Sequence, residues 1–279
     1  MKSKHKSFYI LAPFLIVICL ILLGPKSVNA QEVEDEREFD YLAKSEKGPR
    51  KWGEIRKEWA ACNRGTMQSP IDMSHERVRI ISSKPDKRIY KVCNATVRNR
   101  GHDIQIQWHG DAGSILINGT NYSLRYAHWH SPSEHTIHGR RYDMELHLVH
   151  TSTDPNVRNN IAVVGVFYKI GKPDKFLSKL MTNISSITDR RDKEKTLGMI
   201  DPNDIKLRSK RYYRYMGSLT DPPCTEGVIW TINKNVKTVS RDQVKLLREA
   251  VHDYAEENAR PLQPHNSRDV YLYGPGVTN

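Results

Sequence analysis

Past its first two dozen residues, the chain of 279 residues lacks any apolar run long enough to cross a bilayer, which excludes a polytopic membrane protein. Four cysteines are too few to staple a chain of this length, so a scaffold held by disulfides alone is excluded as well. No internal repeat is present, and no nucleic-acid-binding motif accompanies the basic residues. The chain is also not poor in core-forming residues. With 38% hydrophobic residues, 13 Tyr and 5 Trp, it is too apolar and aromatic to stay disordered, and its length suits one globular domain or at most two. The net charge of +12 is scattered in short groups such as Arg140-Arg141 and Arg190-Arg191, as on a solvated basic surface. No nucleic-acid partner is expected.

The N-terminus reads as an address. Lys2, Lys4 and Lys6 precede the apolar stretch Phe8 to Leu23, and Val28-Asn29-Ala30 offers small residues at the break. This pattern is that of a secretory signal peptide, residues 1–30, cleaved after Ala30. The mature chain then carries 40 basic and 32 acidic residues, a charge of +8, with no membrane span. Four glycosylation sequons, at Asn94, Asn118, Asn121 and Asn183, fit a lumenal route and predict N-glycans. Cys19 leaves with the signal, so Cys62, Cys93 and Cys224 remain: one disulfide and one free thiol, with spacing unable to choose the pair.

Strand patterns dominate the rest. Ile104, Ile106 and Trp108 alternate with polar residues, and Ser114 to Ile117 and Thr120 to His130 flank an Asn-Gly pair that predicts a hairpin. Glu145 to His150, Ile161 to Ile170, Lys210 to Tyr215 and Val228 to Ile232 are further predicted strands, and the second of these is apolar on both faces and should be central. Ser240 with Gln243 forms a capping box ahead of the apolar stripe Val244, Leu247, Val251 and Tyr254. Residues 31–50, charged and punctuated by Gly and Pro, suit a loose arm. The expectation is a mostly β domain on one large mixed sheet.

The chemistry points to histidines. On a strand, His128 and His130 face the same way, and His147 lies on the next predicted strand, so the three can converge on one metal at about 2.0–2.1 Å per Zn–N bond. Three protein ligands leave a tetrahedral position open, the arrangement of a catalytic zinc. His135, His138 and His150 are alternative ligands on pattern alone. Glu145 shares the face of His147 and is placed to orient one histidine of the trio, though which one the pattern leaves open.

The run His128-Trp129-His130-Ser131-Pro132-Ser133-Glu134-His135, with Glu145-Leu146-His147-Leu148-Val149-His150, closely resembles the alpha-class carbonic anhydrases, particularly their plant branch. Gln68-Ser69-Pro70-Ile71-Asp72, Asn99-Arg100-Gly101-His102, Ser218-Leu219-Thr220 with Pro222-Pro223, Trp230 and Arg260-Pro261-Leu262-Gln263-Pro264 extend the resemblance over residues 39–273. It implies a single domain there, after an arm at 31–38 and before a tail at 274–279, built on a mainly antiparallel, twisted ten-stranded sheet with a few peripheral helices. It implies Zn2+ on His128, His130 and His147, and reversible hydration of CO2 to bicarbonate and a proton. Glu134 and Thr220 match the pair that orients the attacking hydroxide, and His102 matches the proton shuttle, expected to be mobile and partly exposed. Val149, Val163, Leu219 and Trp230 match the apolar wall that holds CO2, and Cys62 with Cys224 matches a disulfide that leaves Cys93 free. Substrates are CO2, bicarbonate and water, and the compartment is extracellular or, as in some plant relatives, the chloroplast reached through the ER. Asp221 departs from the family, which usually has a small neutral residue there. A carboxylate in the pocket should raise the pKa of the nucleophilic water. The rival implication is a weak or inactive relative serving storage or carbohydrate binding.

Overall fold

The computed structural model describes residues 38–73, 78–82, 86–207 and 209–275. The signal peptide expected at 1–30, the arm at 31–38 apart from Glu38, and most of the tail at 274–279 lie outside the described residues.

Among the described residues, fourteen strands follow in chain order: β1 (Val78–Ser82), β2 (Lys87–Tyr90), β3 (Cys93–Asn99), β4 (Ile104–Trp108), β5 (Gly113–Ile117), β6 (Thr120–His130), β7 (Thr136–Ile137), β8 (Arg140–Arg141), β9 (Met144–Thr151), β10 (Ile161–Ile170), β11 (Glu194–Ile200), β12 (Tyr212–Ser218), β13 (Glu226–Val239) and β14 (Val270–Gly274). Ten of them make one continuous sheet in the order β1-β14-β12-β13-β10-β9-β6-β4-β3-β11. The sheet is mainly antiparallel and is mixed because β1 runs parallel to β14 and β10 to β13. Two more strands join it, giving twelve rather than ten. The reason is the length of β6: its C-terminal half pairs with β4, while its first residues pair with β5, which in turn carries β2.

The local predictions hold where pattern and register agree. The β5–β6 hairpin closes on Asn118 and Gly119, both at positive φ, as a two-residue turn requires. β10 lies between β9 and β13 and buries its first eight residues. Ser240 caps the helix Arg241–Glu249 through a capping box with Gln243. Other boundaries move. β12 begins at Tyr212 rather than Lys210, β13 runs for 14 residues, and the helix ends before Val251 and Tyr254. Residues 39–50 are no loose arm. Phe39 is buried edge-on against Trp52 and Trp59, and Tyr41, Gly48 and Pro49 are buried too. Burial of aromatic rings outweighs the charge and Gly/Pro content of this segment.

Candidate metal centre

β6 and β9 lie antiparallel with His128 directly opposite His147, so period-2 alternation puts His128, His130 and His147 on one face. All three are buried, and each offers a nitrogen within 4.8 Å of the others. Two of the rings are oriented by neighbours. His130 bonds through Nδ1 to the Asn258 carbonyl at 2.7 Å, and its buried Nε2 has no hydrogen-bond partner among the described residues. His147 donates through Nε2 to Glu145 at 3.0 Å, leaving Nδ1 to face the centre. Burial lowers the pKa of His128 and of His147, which favours the neutral imidazoles that ligate metals. In His130 burial acts the same way, but Glu134 and the Asn258 bond outweigh it and the pKa rises. Three buried imidazole nitrogens within 4.8 Å of one another fit the donor set of a zinc ion.

Glu145 is saturated. Its Oε2 accepts the N–H groups of Glu134 and His135, both at 2.9 Å, and its Oε1 accepts from His135 Nδ1 at 2.8 Å as well as from His147. Of the three candidate ligands, His147 is the one that Glu145 bonds. Burial would raise its pKa, but His135 and His147 hold it well below the ordinary carboxylate range. The chain continues from His135 Nε2 to the Tyr215 hydroxyl at 2.7 Å and from there to Ser69 Oγ at 2.7 Å. Space for Glu145 is left by Gly165, across from His147 on β10, where a Cβ would stand 2.9 Å from Glu145 Oε1.

The remaining candidates separate cleanly. His135 has both nitrogens engaged, His138 is exposed, and His150 lies against Tyr90 with its Nε2 2.9 Å from the hydroxyl, so none of the three belongs to the trio. Glu134 accepts the Arg260 N–H on Oε1, while its buried Oε2 has no hydrogen-bond partner among the described residues and lies 3.6 Å from His130 Nε2. Val149, Val163 and Trp230 form one row across β9, β10 and β13, and the Trp230 ring packs 4.8 Å from that of His147. Thr220, Asp221 and Leu219 are buried in the loop after β12. That loop is closed by Leu219 N–H to Thr225 O and Cys224 N–H to Asp221 O, and is tied to the N-terminal segment by the Cys62–Cys224 disulfide. Cys93 is the free thiol and is buried.

His102 departs from expectation. It is only 1% exposed, its ring packs 5.1 Å from Phe39, and its Nε2 lies 3.4 Å from Asp221 Oδ2. A short polar link beside a glycine suggested exposure, but the ordered segment carrying Phe39 covers it. The buried Asp221 carboxyl does enter this region, and burial pushes its pKa up to about 7, aided by Asp103 and Glu134 and opposed by Arg100. The sequence alone assigns no site role to Asn258, Arg260, Tyr215 or Tyr41, although Tyr215 ends a predicted strand and Arg260 opens a run that carries the resemblance. The first three lie outside the histidine motifs and act largely through backbone or distant contacts. Tyr41, buried and with its pKa raised by burial and by the charges of Asp221 and Glu134, falls in the segment whose composition suits a loose arm. Of the four sequons, Asn94, Asn118 and Asn121 are exposed and Asn183 is half-buried.

A mainly antiparallel sheet of this topology with three buried imidazoles brought together defines a mostly β fold with a candidate metal site. Residues 47–274 match the family model of eukaryotic-type carbonic anhydrases, and the chain belongs to that family. Carbonic anhydrase Nec1 of Nesocodon mauritianus is 56% identical over 258 residues, covering 92% of this chain and 93% of that protein. Alpha carbonic anhydrase 7 of Arabidopsis thaliana is 50% identical over 262 residues, 94% of each chain. Among solved structures, dioscorin in complex with ascorbate superposes with a TM-score of 0.82 at 42% identity, over 86% of this chain and all of that one.

Proposed function

We propose that the protein is a zinc-dependent carbonic anhydrase that interconverts CO2 with bicarbonate and a proton. The observation that carries this reading is the trio His128, His130 and His147, with two rings oriented by Asn258 and Glu145. Zinc on these nitrogens supplies a Lewis acid that lowers the pKa of water from 15.7 to about 7, a value established for this enzyme class rather than deduced from this chain. The other roles belong to the chain. Glu134, through its unpartnered Oε2, and Thr220 orient the nucleophile's hydrogen so that an oxygen lone pair faces the substrate. Val149, Val163, Leu219 and Trp230 form a dry wall on which CO2 sits with little competition from water. His102 takes the released proton and passes it to buffer, a task suited to an imidazole.

Asp221 sets this enzyme apart. An anion beside the reacting water disfavours its ionisation, so the acidic limb of the pH–rate profile should lie higher than with a neutral residue. Replacing Asp221 with Thr is expected to move that limb of kcat/KM to lower pH and raise kcat/KM at pH 7. The N-terminal signal-peptide pattern and the three exposed sequons, at Asn94, Asn118 and Asn121, support a glycosylated protein of the secretory route, with the chloroplast as the alternative destination. The second reading, a binding or storage relative, is favoured by Asp221 and by the likeness to dioscorin, whose solved structure holds ascorbate. Zinc analysis of the purified mature chain together with stopped-flow CO2 hydration and a sulfonamide control decides between them. Stoichiometric zinc and sulfonamide-sensitive hydration support the enzyme. Metal-free protein with no hydration leaves only the binding reading.

A further inference from the structure

The sheet ends on β11, so the outer side of that strand has no strand beside it among the described residues. An open edge invites pairing with another chain unless charge, a bulge or a cover blocks it. The first half of β11 is guarded. Glu194 and Lys195 are exposed charges, and a bulge at Leu197, followed by Gly198 at positive φ, bends the strand. The second half, Gly198-Met199-Ile200, carries no charge. Met199 is 62% exposed, the most of any large apolar residue described. An isolated exposed apolar side chain needs no explanation, but one on an unguarded strand edge does.

The ladder places Asn94 of β3 directly opposite Met199. Residues paired in this way share one face of the sheet, with Cβ atoms about 4.5–5.5 Å apart. Asn94 is exposed, and Val92, two residues before it, is 49% exposed. Asn94 also opens the sequon Asn94-Ala95-Thr96. The other three sequons stand differently: Asn118 sits in the β5–β6 turn, Asn121 pairs with a half-buried Leu116, and Asn183 is itself half-buried. We infer that Asn94 carries an N-glycan whose first sugars lie over Met199 and Val92 and close the uncharged end of the β11 edge to a second copy of this chain. The inference rests on the secretory reading above and goes further by giving one sequon a task. In the lumen the Asn94 amide nitrogen attacks C1 of a polyprenyl-diphosphate oligosaccharide: the N–C1 bond forms, the C1–O bond to the diphosphate breaks, and the amide gives up one proton. Transfer to the unfolded chain finds the Thr96 hydroxyl available, before the fold sets it 2.9 Å from His109 Nε2. After folding, the sugar covers apolar surface with its C–H and acetyl groups, keeps its hydroxyls in water, and offers no strand to pair with.

The test begins with the chain secreted from a plant host, where peptide mapping reads the occupancy of each sequon and Asn94 should be occupied. The bare comparison is made twice, with Asn94→Gln from the same host and with wild type from an oxidising bacterial host that adds no N-glycan, so that a folding defect in one leaves the other to decide. Oxidation of Met199 by dilute hydrogen peroxide, read by mass spectrometry, should be roughly threefold slower in the glycoprotein, because thioether oxidation follows exposure. Sedimentation at high protein concentration should show a monomeric glycoprotein, while both bare forms populate dimers and larger species that Met199→Lys returns to monomer. A bare Asn94 beside an occupied Asn118 or Asn121 overturns the inference and leaves the secretory reading standing. Four bare sequons in a chain retained inside the cell end both. An occupied Asn94 with Met199 oxidised at the same rate, or bare forms that stay monomeric, overturns the shield.

Discussion

Glu145, on the β9 flank of the candidate centre, accepts two hydrogen bonds on each carboxylate oxygen, and its chain of contacts runs through His135 and Tyr215 to Ser69. Across the site, Asp221 and His102 face each other 3.4 Å apart with no aligned hydrogen bond between them. The first flank is a saturated network, in which low dielectric strengthens each bond and fixes each ring. The second has a carboxyl whose two oxygens accept no hydrogen bond among the described residues, close to a buried imidazole. The first flank holds its histidine by hydrogen bonds, the second by packing under Phe39.

The contrast can be broken at its strongest point first. His147→Ala removes the proposed ligand that Glu145 orients, and should leave the protein without bound zinc and with hydration at background, as metal analysis and stopped flow will show. Glu145→Gln keeps the shape but places an NH2 group against N–H donors. Zinc affinity is expected to fall about 10–100-fold, measured by chelator competition, with the protein still folded. A loss no greater than that of an exposed substitution would mean the saturated network is not what holds His147.

His150 sharpens the comparison, because it is a buried histidine on β9 with no part in either flank. Burial lowers its pKa to about 4 from the ordinary 6.5, with the Ala162 and Leu148 backbone bonds opposing. Between those values the unfolded chain binds a proton that the folded chain does not, so stability rises with pH and is fully present above 6.5. On acidification to pH 4 this group alone should cost roughly 3 kcal/mol. Urea midpoints of wild type and His150→Gln should therefore converge as pH falls from 6.5 to 4, and parallel curves would deny the effect. The smallest effect is expected at Ser69, the far end of the network. Ser69→Ala leaves the Tyr215 hydroxyl short of a partner and should cost about 1–3 kcal/mol in stability, with less change in zinc affinity than Glu145→Gln.

Much of this was legible before any coordinates. Alternation placed His128 and His130 on one face, the Asn-Gly pair marked its hairpin, and Ser240 with Gln243 marked a helix start, because each of these signals acts over a few neighbouring residues. The segment around Phe39 was misread for the opposite reason. Its order comes from Trp52 and Trp59, and local charge and Gly/Pro content carry no trace of that contact.

By itself the sequence determined the period-2 strands, the caps and turns, and the residue types able to bind a metal, since propensity and side-chain alternation are properties of short stretches. Only the tertiary structure decided that His147 stands opposite His128, that Glu145 serves His147, that Cys62 meets Cys224, and that Asp221 reaches a buried His102. Those facts depend on which strands become neighbours and in what register, and that choice is made by burial of the whole sheet at once.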